Sequence, residues 1–298
     1  MGSWFGGHLA MNGRDVELLT TNIDHIEAVQ RDGLILRSTG GESVVQVPIC
    51  TPSQVSQVVD MVIVLTKTFQ LDDALSSISH ALKPDTAVLS LQNGLGNEEI
   101  IARHVGEANT WIGMSMVPAD RVAPGIIESM GEGASWFGHA QMTRPADAER
   151  LETLFADSGL DVRHDVNIKN RVWQKVAFNA GINAVCALTH STPGLIETSK
   201  MAKILLQDVA TEVVNVAEAM GVSVDLHAVF KTIDFACDYH GDHVPSMLHD
   251  LLAGKRTEVD ALNGAIVKYG NLHNVAVPLN TQLAGLIRLA EKGHARKV

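Results

Sequence analysis

The chain has 298 residues, 46% of them apolar and 19% charged. That composition excludes a disordered chain, and the length allows one large domain or two ordinary ones, with a core that needs no disulfide or metal staples. Twenty-three Lys and Arg stand against 34 Asp and Glu, a net charge of -11, which argues against non-specific binding to nucleic acid or an anionic membrane but leaves room for a local basic phosphate pocket.

In chain order, the N-terminal segment Met1–Ala10 has neither a basic region nor an apolar core of signal-peptide length. It runs through Asn12-Gly13 into the apolar Val16–Leu19, and Ile23–Arg31 has helical spacing. Gly33–Arg37 and Val44–Ile49 flank Gly40-Gly41, a hairpin signal. Met61–Leu65 and Ala87–Leu91 are continuous apolar runs of the kind that form parallel strands buried on both faces. Helical patterns over Leu71–Leu82 and Gly94–His104 alternate with them, and Lys83-Pro84-Asp85 reads as a break. Strand and helix in alternation predict an α/β fold with a mainly parallel sheet. Trp111–Val117, Gly125–Met130 and Ser135–Gly138 read as strands and Pro145–Ser158 as a helix.

From about Val166 the pattern changes to long helices: Asn167–Leu188, Ser199–Met220, Leu226–Tyr239, Ser246–Ala253, Glu258–His273 and Thr281–Lys292, punctuated by Gly221, Gly254 and Pro278. The predicted division is therefore an α/β domain over 1–165 and a helical domain over 166–298. Ala177–Ile196 is uncharged, yet its Asn179, Asn183, His190 and Pro193 mark it as a buried soluble helix and its exit.

Cys50, Cys186 and Cys237 are widely spaced and form no CxxC pair, which fits a reducing cytoplasm. Thirteen histidines include His240, His243 and His249, but no metal-ligand spacing joins them, so no metal is expected. Lys175, Asn179 and Asn183 follow i, i+4, i+8 and form a polar stripe on an otherwise apolar helix, which needs partners or a ligand. Lys67 and Asn93 follow buried strands, where open α/β sheets bind ligands. Ser246 reads equally as a helix N-cap and Glu258 as a carboxylate at a helix N-terminus.

Several segments together resemble the ketopantoate reductase family: Asp15–Leu36, Leu65-Thr66-Lys67-Thr68, Leu91–Gly96 (LQNGLG), Trp173–Asn183, Arg256–Gly264 (RTEVDALNG) and Val277–Thr281. The resemblance covers nearly the whole chain in order and spacing. It implies an N-terminal Rossmann-type domain and an all-helical C-terminal domain. Family members begin with a strand and a full glycine fingerprint, whereas this chain matches from the last fingerprint glycine, Gly2. The expectation is thus a Rossmann-type domain with its first strand missing and the start of the motif truncated.

The resemblance also implies the site. Lys175 matches the catalytic lysine, which hydrogen-bonds the substrate ketone and donates a proton. Asn179, Asn183, Asn93 and Ser246 match substrate-binding positions. Glu258 matches a glutamate at the interdomain cleft, near both cofactor and substrate. Gly2, Thr21, Lys67, Asn93 and Ala119 match cofactor-contacting positions. The implied reaction is NAD(P)H-dependent reduction of 2-dehydropantoate to pantoate, for pantothenate synthesis. The alternatives are another branched 2-oxo acid or a dinucleotide-binding protein without catalysis. The family implies NADPH. Thr21 stands where many members carry an arginine for the 2′-phosphate, so NADH is the alternative, with His25 and Arg31 as candidate phosphate partners. A small-molecule substrate and a homodimer are the expected partners.

Overall fold

A helix opens the chain in this computed structural model: α1 (Gly2–Met11). The structure describes residues 1–130, 133–141, 145–239 and 241–294, so His240 lies outside the described residues. Trp4, Phe5 and Leu9 of α1 are buried. A Cβ on Gly6 would meet Leu18 Cδ2 at 2.3 Å, and one on Gly7 would meet Leu34 and Leu36 at 2.9 Å. Glycine at these positions lets the helix backbone lie close over the strands, as nucleotide-binding α/β layers require.

Next along the chain come β1 (Leu18–Leu19), α2 (Ile23–Asp32), β2 (Leu34–Ser38), β3 (Gly41–Val45), β4 (Ile49–Cys50), β5 (Val59–Val64), α3 (Leu71–Ser77), β6 (Leu82–Ser90), α4 (Asn97–Val105), β7 (Thr110–Ser115), β8 (Asp120–Ala123), β9 (Ile126–Ser129), β10 (Ser135–His139), α5 (Pro145–Phe155) and β11 (Val162–His164). Five strands form a sheet in the order β11-β10-β7-β6-β5, in which β5, β6 and β7 run parallel and β10 is antiparallel to β7. The smaller sheets are β1-β4, parallel, and β3-β2-β9-β8. β5 stands at the edge of the five-stranded sheet, and among the described residues β1 pairs with β4 alone. Phe5, Leu34, Leu89, Trp111, Phe137 and Phe155 share one core cluster, and Leu71, Leu75, Val88 and Ile101 a second.

The predicted hairpin is present, with β2 and β3 in register from Leu34↔Val45 to Ser38↔Gly41. The helix predicted over Leu71–Leu82 has ended by Lys83-Pro84-Asp85, as expected, but the strand predicted from Ala87 already begins at Leu82. β6 runs from Leu82 through these residues, and the register jumps from Val59↔Leu82 to Met61↔Ala87. A proline is tolerated in a strand at such an irregularity, because no ladder bond is asked of it. Thr86 Oγ1 donates to Val59 O (2.6 Å) and Lys83 pairs with Asp60, which holds the irregular stretch to its neighbour.

Contacts divide the chain into two units. The first comprises 1–92 and 97–168, and the second comprises 93–96 with 169–298. The second contains nearly all of α6 (Ile168–Thr189), then α7 (Pro193–Glu197), α8 (Lys200–Ala219), α9 (Leu226–Tyr239), α10 (Ser246–Leu252), α11 (Asn263–His273) and α12 (Pro278–His294). α6 is buried along most of its length, and a Cβ on Gly181 would stand 3.2 Å from Leu206 O of α8.

Two differences from the sequence reading matter for the site. The predicted helix from Glu258 begins only at Asn263, because residues 258–262 form turns in which Ala261 and Leu262 N–H both donate to Glu258 O. Pro278 opens α12 rather than separating helices. Proline suits that first helical position, where an N–H would lack an intrahelical partner.

Candidate active site

The second unit assembles its polar groups on α6, on the 257–262 turns and on the short segment Asn93–Gly96. Lys175, Asn179 and Asn183 fall on one stripe of α6. Both asparagines are buried, and Lys175 is half-buried. Burial lowers the Lys175 ammonium from the usual 10.5 to about 8, and the carboxylate of Glu258 works in the opposite direction. Glu258 is itself buried and accepts a hydrogen bond from Asn93 Nδ2 at 3.5 Å. Lys175, Glu258 and Asn93 are thus brought together, from positions far apart in sequence.

The turn that carries Glu258 is pinned from several sides. Thr257 N–H donates to Glu291 Oε1 (2.7 Å), and Thr257 Oγ1 accepts from Val259 N–H (3.2 Å). Asp260 pairs with Arg256 at 3.1 Å and Arg288 at 2.7 Å, and these guanidinium groups hold its carboxyl below the usual carboxylate range although burial opposes them. Glu258 therefore sits in a constrained turn, not in the first turn of a helix as its sequence context predicts. The network extends inward. Asn263 Nδ2 donates to Ala180 O of α6 (2.9 Å) and to Asn280 Oδ1 (3.0 Å). Asn280 Nδ2 donates to Glu212 Oε2 (2.8 Å), whose carboxylate also accepts Leu279 and Asn280 N–H at 2.9 Å.

The 93–96 segment depends on a close backbone approach. Gly94 has φ +81°, and a Cβ there would lie 2.5 Å from Ala261 O and 2.7 Å from Ala261 Cβ, beside the bond from Leu95 N–H to Ala261 O (2.9 Å). Gly94→Ala should therefore cost about 2–4 kcal/mol, from the left-handed backbone plus overpacking. It should also displace Asn93 from Glu258. Urea unfolding reads the first effect, and a loss below about 1 kcal/mol would show that the approach is not needed.

Ser246 is the first residue of α10, and Pro245 occupies the N-cap, so the predicted capping role is absent. Its side chain is exposed. The described hydrogen bonds do not join it to Lys175, Asn179, Asn183 or Glu258.

In the first unit, the candidate cofactor positions lie at the carboxyl ends of strands. Gly2 begins α1 beside the end of β5, with Leu65 Cβ 3.9 Å from the Cβ position. The first helical bond is Phe5 N–H to Met1 O, so the N–H groups of Gly2, Ser3 and Trp4 precede it, a donor arrangement suited to an anionic phosphate. Lys67 follows β5, and its N–H donates to Gln70 Oε1 (3.3 Å). Thr21 is exposed between β1 and α2, and Ala119 lies between β7 and β8. Gln92, which sequence reasoning passes over, joins the ends of β5 and β6. Its Nε2 donates to Thr66 O (2.9 Å) and Oγ1 (3.1 Å), and its Oε1 accepts from Ser90 Oγ (2.9 Å). Its one signal in the sequence is its place directly after a buried strand.

Of the two basic candidates for a 2′-phosphate, His25 is engaged in the interior, while Arg31 is an exposed side chain beside its neighbour Asp32. His25 is buried, and Gly125 N–H donates to its Nδ1 (2.9 Å), so Nε2 carries the proton and donates to Ser3 Oγ (3.0 Å). Burial, Arg121 and the N-terminal amine all lower its pKa, which keeps it neutral. Arg31 makes two bonds to Asp32 Oδ2, at 2.9 and 2.6 Å. Among the described residues no helix is long and apolar enough to cross a membrane, and no three His, Cys, Asp or Glu side chains gather as a metal site would require.

Comparison with known proteins places this geometry in a family. Residues 1–142 match the family Ketopantoate reductase PanE/ApbA, and residues 167–291 match its C-terminal counterpart. A 2-dehydropantoate 2-reductase from Halobacterium salinarum is 32% identical over 293 residues, 98% of this chain and 96% of the relative. Among solved structures, a ternary structure of D-mandelate dehydrogenase with NADH and anilino(oxo)acetate superposes with a TM-score of 0.94 at 30% identity, covering 99% of this chain and 96% of that one. A PanE/ApbA family ketopantoate reductase from Ralstonia eutropha superposes with a TM-score of 0.91 at 28% identity, covering 99% and 96%. A chain that matches along nearly its whole length, in both parts, belongs to the ketopantoate reductase family, whose members are NAD(P)H-dependent 2-oxo-acid reductases.

Proposed function

We propose that this chain reduces a branched or aromatic 2-oxo acid to the 2-hydroxy acid, with 2-dehydropantoate as the first candidate substrate. The observation that carries the reading is the grouping of Lys175 with Glu258 and Asn93, at the positions where the family's motifs stand. The dinucleotide, when bound, supplies the hydride. The N-terminus of α1 from Gly2, Thr21 after β1, Lys67 after β5, and Ala119 fit a dinucleotide, because they offer backbone donors and hydroxyls at the carboxyl ends of strands.

The protein's own groups do the rest. The Lys175 ammonium donates a hydrogen bond to the ketone oxygen, stabilises the negative charge that develops there and then gives up a proton to it. A pKa of about 8 suits that task, since the ammonium is populated at neutral pH and still releases its proton readily. Glu258 holds the charge on Lys175 and is itself held by Asn93. Asn179 and Asn183 present buried amides, which can bind a carboxylate or a hydroxyl of the substrate.

A second reading keeps the mechanism and changes the side chain of the substrate. It is favoured by the similarity to D-mandelate dehydrogenase, whose ternary structure contains an aryl-substituted oxo acid derivative. With His25 buried and engaged, the α2 entry offers the hydroxyls of Thr20 and Thr21, and Arg31 stands exposed at the far end of that helix. We expect NADH to serve at least as well as NADPH. Steady-state kinetics of the full chain with 2-dehydropantoate, a phenyl-substituted 2-oxo acid and a small branched 2-oxo acid, each with both dinucleotides, tests these points. A kcat/KM for the phenyl compound more than about tenfold above that for 2-dehydropantoate would assign the second reading. Dinucleotide binding without turnover of any of the three would leave a protein without catalysis.

A further inference from the structure

With Lys175 as the proton donor and Glu258 as its partner, the buried residues Asn263, Asn280 and Glu212 have no part in the proposed reduction. Asn263 and Asn280 have no exposed surface at all. The three come from different elements, α11, α12 and α8, and their hydrogen bonds form one directed chain that ends on α6.

The direction of that chain is set by its charged end. A carboxylate only accepts, so Asn280 must turn Nδ2 toward Glu212. Its Oδ1 then faces Asn263 and accepts from Asn263 Nδ2. The same nitrogen donates to Ala180 O, in the middle of α6. Ala180 adjoins Asn179 and lies five residues beyond Lys175, while Asn263 opens α11 directly after the turns that begin at Glu258. A flip of the Asn263 amide would set its oxygen against Ala180 O and Asn280 Oδ1, two acceptors, so the chain permits one orientation only.

Resting on the functional reading of Lys175 and Glu258, we propose that Asn263 is a positioning residue, which fixes the turn bearing Glu258 against the part of α6 that bears Lys175, and that Glu212 acts through Asn280 to hold its amide in the required orientation. Asn263 itself touches neither substrate nor dinucleotide. It sets the spacing between Lys175, which meets the ketone, and Glu258, which holds its charge. Such spacing matters because a displacement of about 1 Å in a reactive group can cost on the order of a hundredfold in rate.

Two variants of the full chain test the proposal, Asn263→Leu, which keeps the volume and removes the donor, and Glu212→Gln, which keeps the shape and places an amide among donors. Three quantities are read on each: folded fraction by circular dichroism, kcat and KM with 2-dehydropantoate or the best 2-oxo acid of the panel, and the titration of Lys175 followed by NMR in the enzyme without ligands. The expected result is a folded protein with kcat lowered roughly 10- to 100-fold, KM for the dinucleotide changed by less than about threefold, and a Lys175 titration shifted below about 8 as Glu258 withdraws.

A folded variant whose kcat and Lys175 titration match the wild type overturns the proposal. So does a kcat that falls only in proportion to the folded fraction while the titration stays in place. If Asn263→Leu does not fold, Glu212→Gln decides by the same measures; if neither folds, the chain of amides belongs to stability alone and the proposal fails. The functional reading fails separately. A Lys175→Ala protein that keeps its turnover would overturn that reading, whereas the Lys175 titration in the two variants would still report on positioning.

Discussion

Replacing Lys175 by alanine should lower kcat for 2-oxo-acid reduction by about 10²–10⁴-fold, the range that a positioned general acid contributes. The KM for the dinucleotide should change far less, because the lost interaction belongs to the reacting ketone. The pH dependence has a definite sign. Reduction needs the ammonium form, whose pKa is about 8, so the wild-type rate should fall as pH rises through that value. The fall should be absent in Lys175→Ala. A wild-type rate that stays level well above pH 8, or an alanine variant with wild-type kcat, would remove Lys175 from the chemistry.

The same shift bears on stability. The folded pKa lies below the ordinary 10.5, so between about 8 and 10.5 the unfolded chain binds more protons than the folded one and stability rises with pH. Below about 8 both states hold the proton, and the folded state carries the full burden of a desolvated charge. Lys175→Met, which brings an apolar chain of similar length, should therefore be inactive yet have a higher Tm than the wild type near neutral pH. The difference should narrow as pH approaches 10.5. Thermal scans at neutral and alkaline pH measure it, and a methionine variant less stable than the wild type near pH 7 would contradict the assignment.

Truncating Glu212 should have the largest effect on stability. Its carboxylate accepts from Leu279 N–H, Asn280 N–H and Asn280 Nδ2, all at 2.8–2.9 Å. The first two belong to the opening turn of α12, where the helix leaves donors without intrahelical partners and favours negative charge. Glu212→Ala strands three buried donors and opens a cavity, which should cost about 3–5 kcal/mol in urea unfolding. Glu218, exposed on the same α8, supplies the control. Its alanine variant should stay within about 0.5 kcal/mol of the wild type. Equal losses at the two positions would show that the network carries no special weight.

Much of this fold is legible from apolar periodicity. The apolar runs at Met61–Leu65 and Ala87–Leu91 correspond to β5 and β6, though β5 lies at the sheet edge and is mostly half-buried rather than buried on both faces, and the long helical patterns correspond to α6, α8 and α9. Short elements escape, because few residues carry little pattern. β8, with three of four residues exposed, β11 and α7 are examples. Residues 83–85 mark the end of the helical pattern, yet they hide the early start of β6, because a register irregularity admits a proline that regular pairing would refuse. The polar stripe of Lys175, Asn179 and Asn183 is visible in the spacing, since α6 is regular. The meeting of Glu258 with Asn93 is not, because it depends on turns and a close backbone approach that no local period encodes. Asn263 and Asn280 fall inside the family's motifs, yet their spacing assigns them no role. An asparagine in sequence does not reveal whether it faces water or another amide.

The segment Asn93–Gly96 leaves the first unit after β6 and returns to it at α4, while its bonds lie with the second. That placement has a consequence for biosynthesis. Asn93 and Glu258 are separated by 165 residues, so at ordinary ribosomal speeds the loop emerges roughly 10–30 s before the turn that receives it. Over that interval the nascent first unit must carry a glycine-rich loop with its docking surface still unmade. Residues 169–298 as a separate fragment lack the Asn93–Gly96 segment that packs with them. A split protein cut at 168 should therefore regain Leu95 N–H protection from exchange only when both pieces are mixed, however well each collapses by itself.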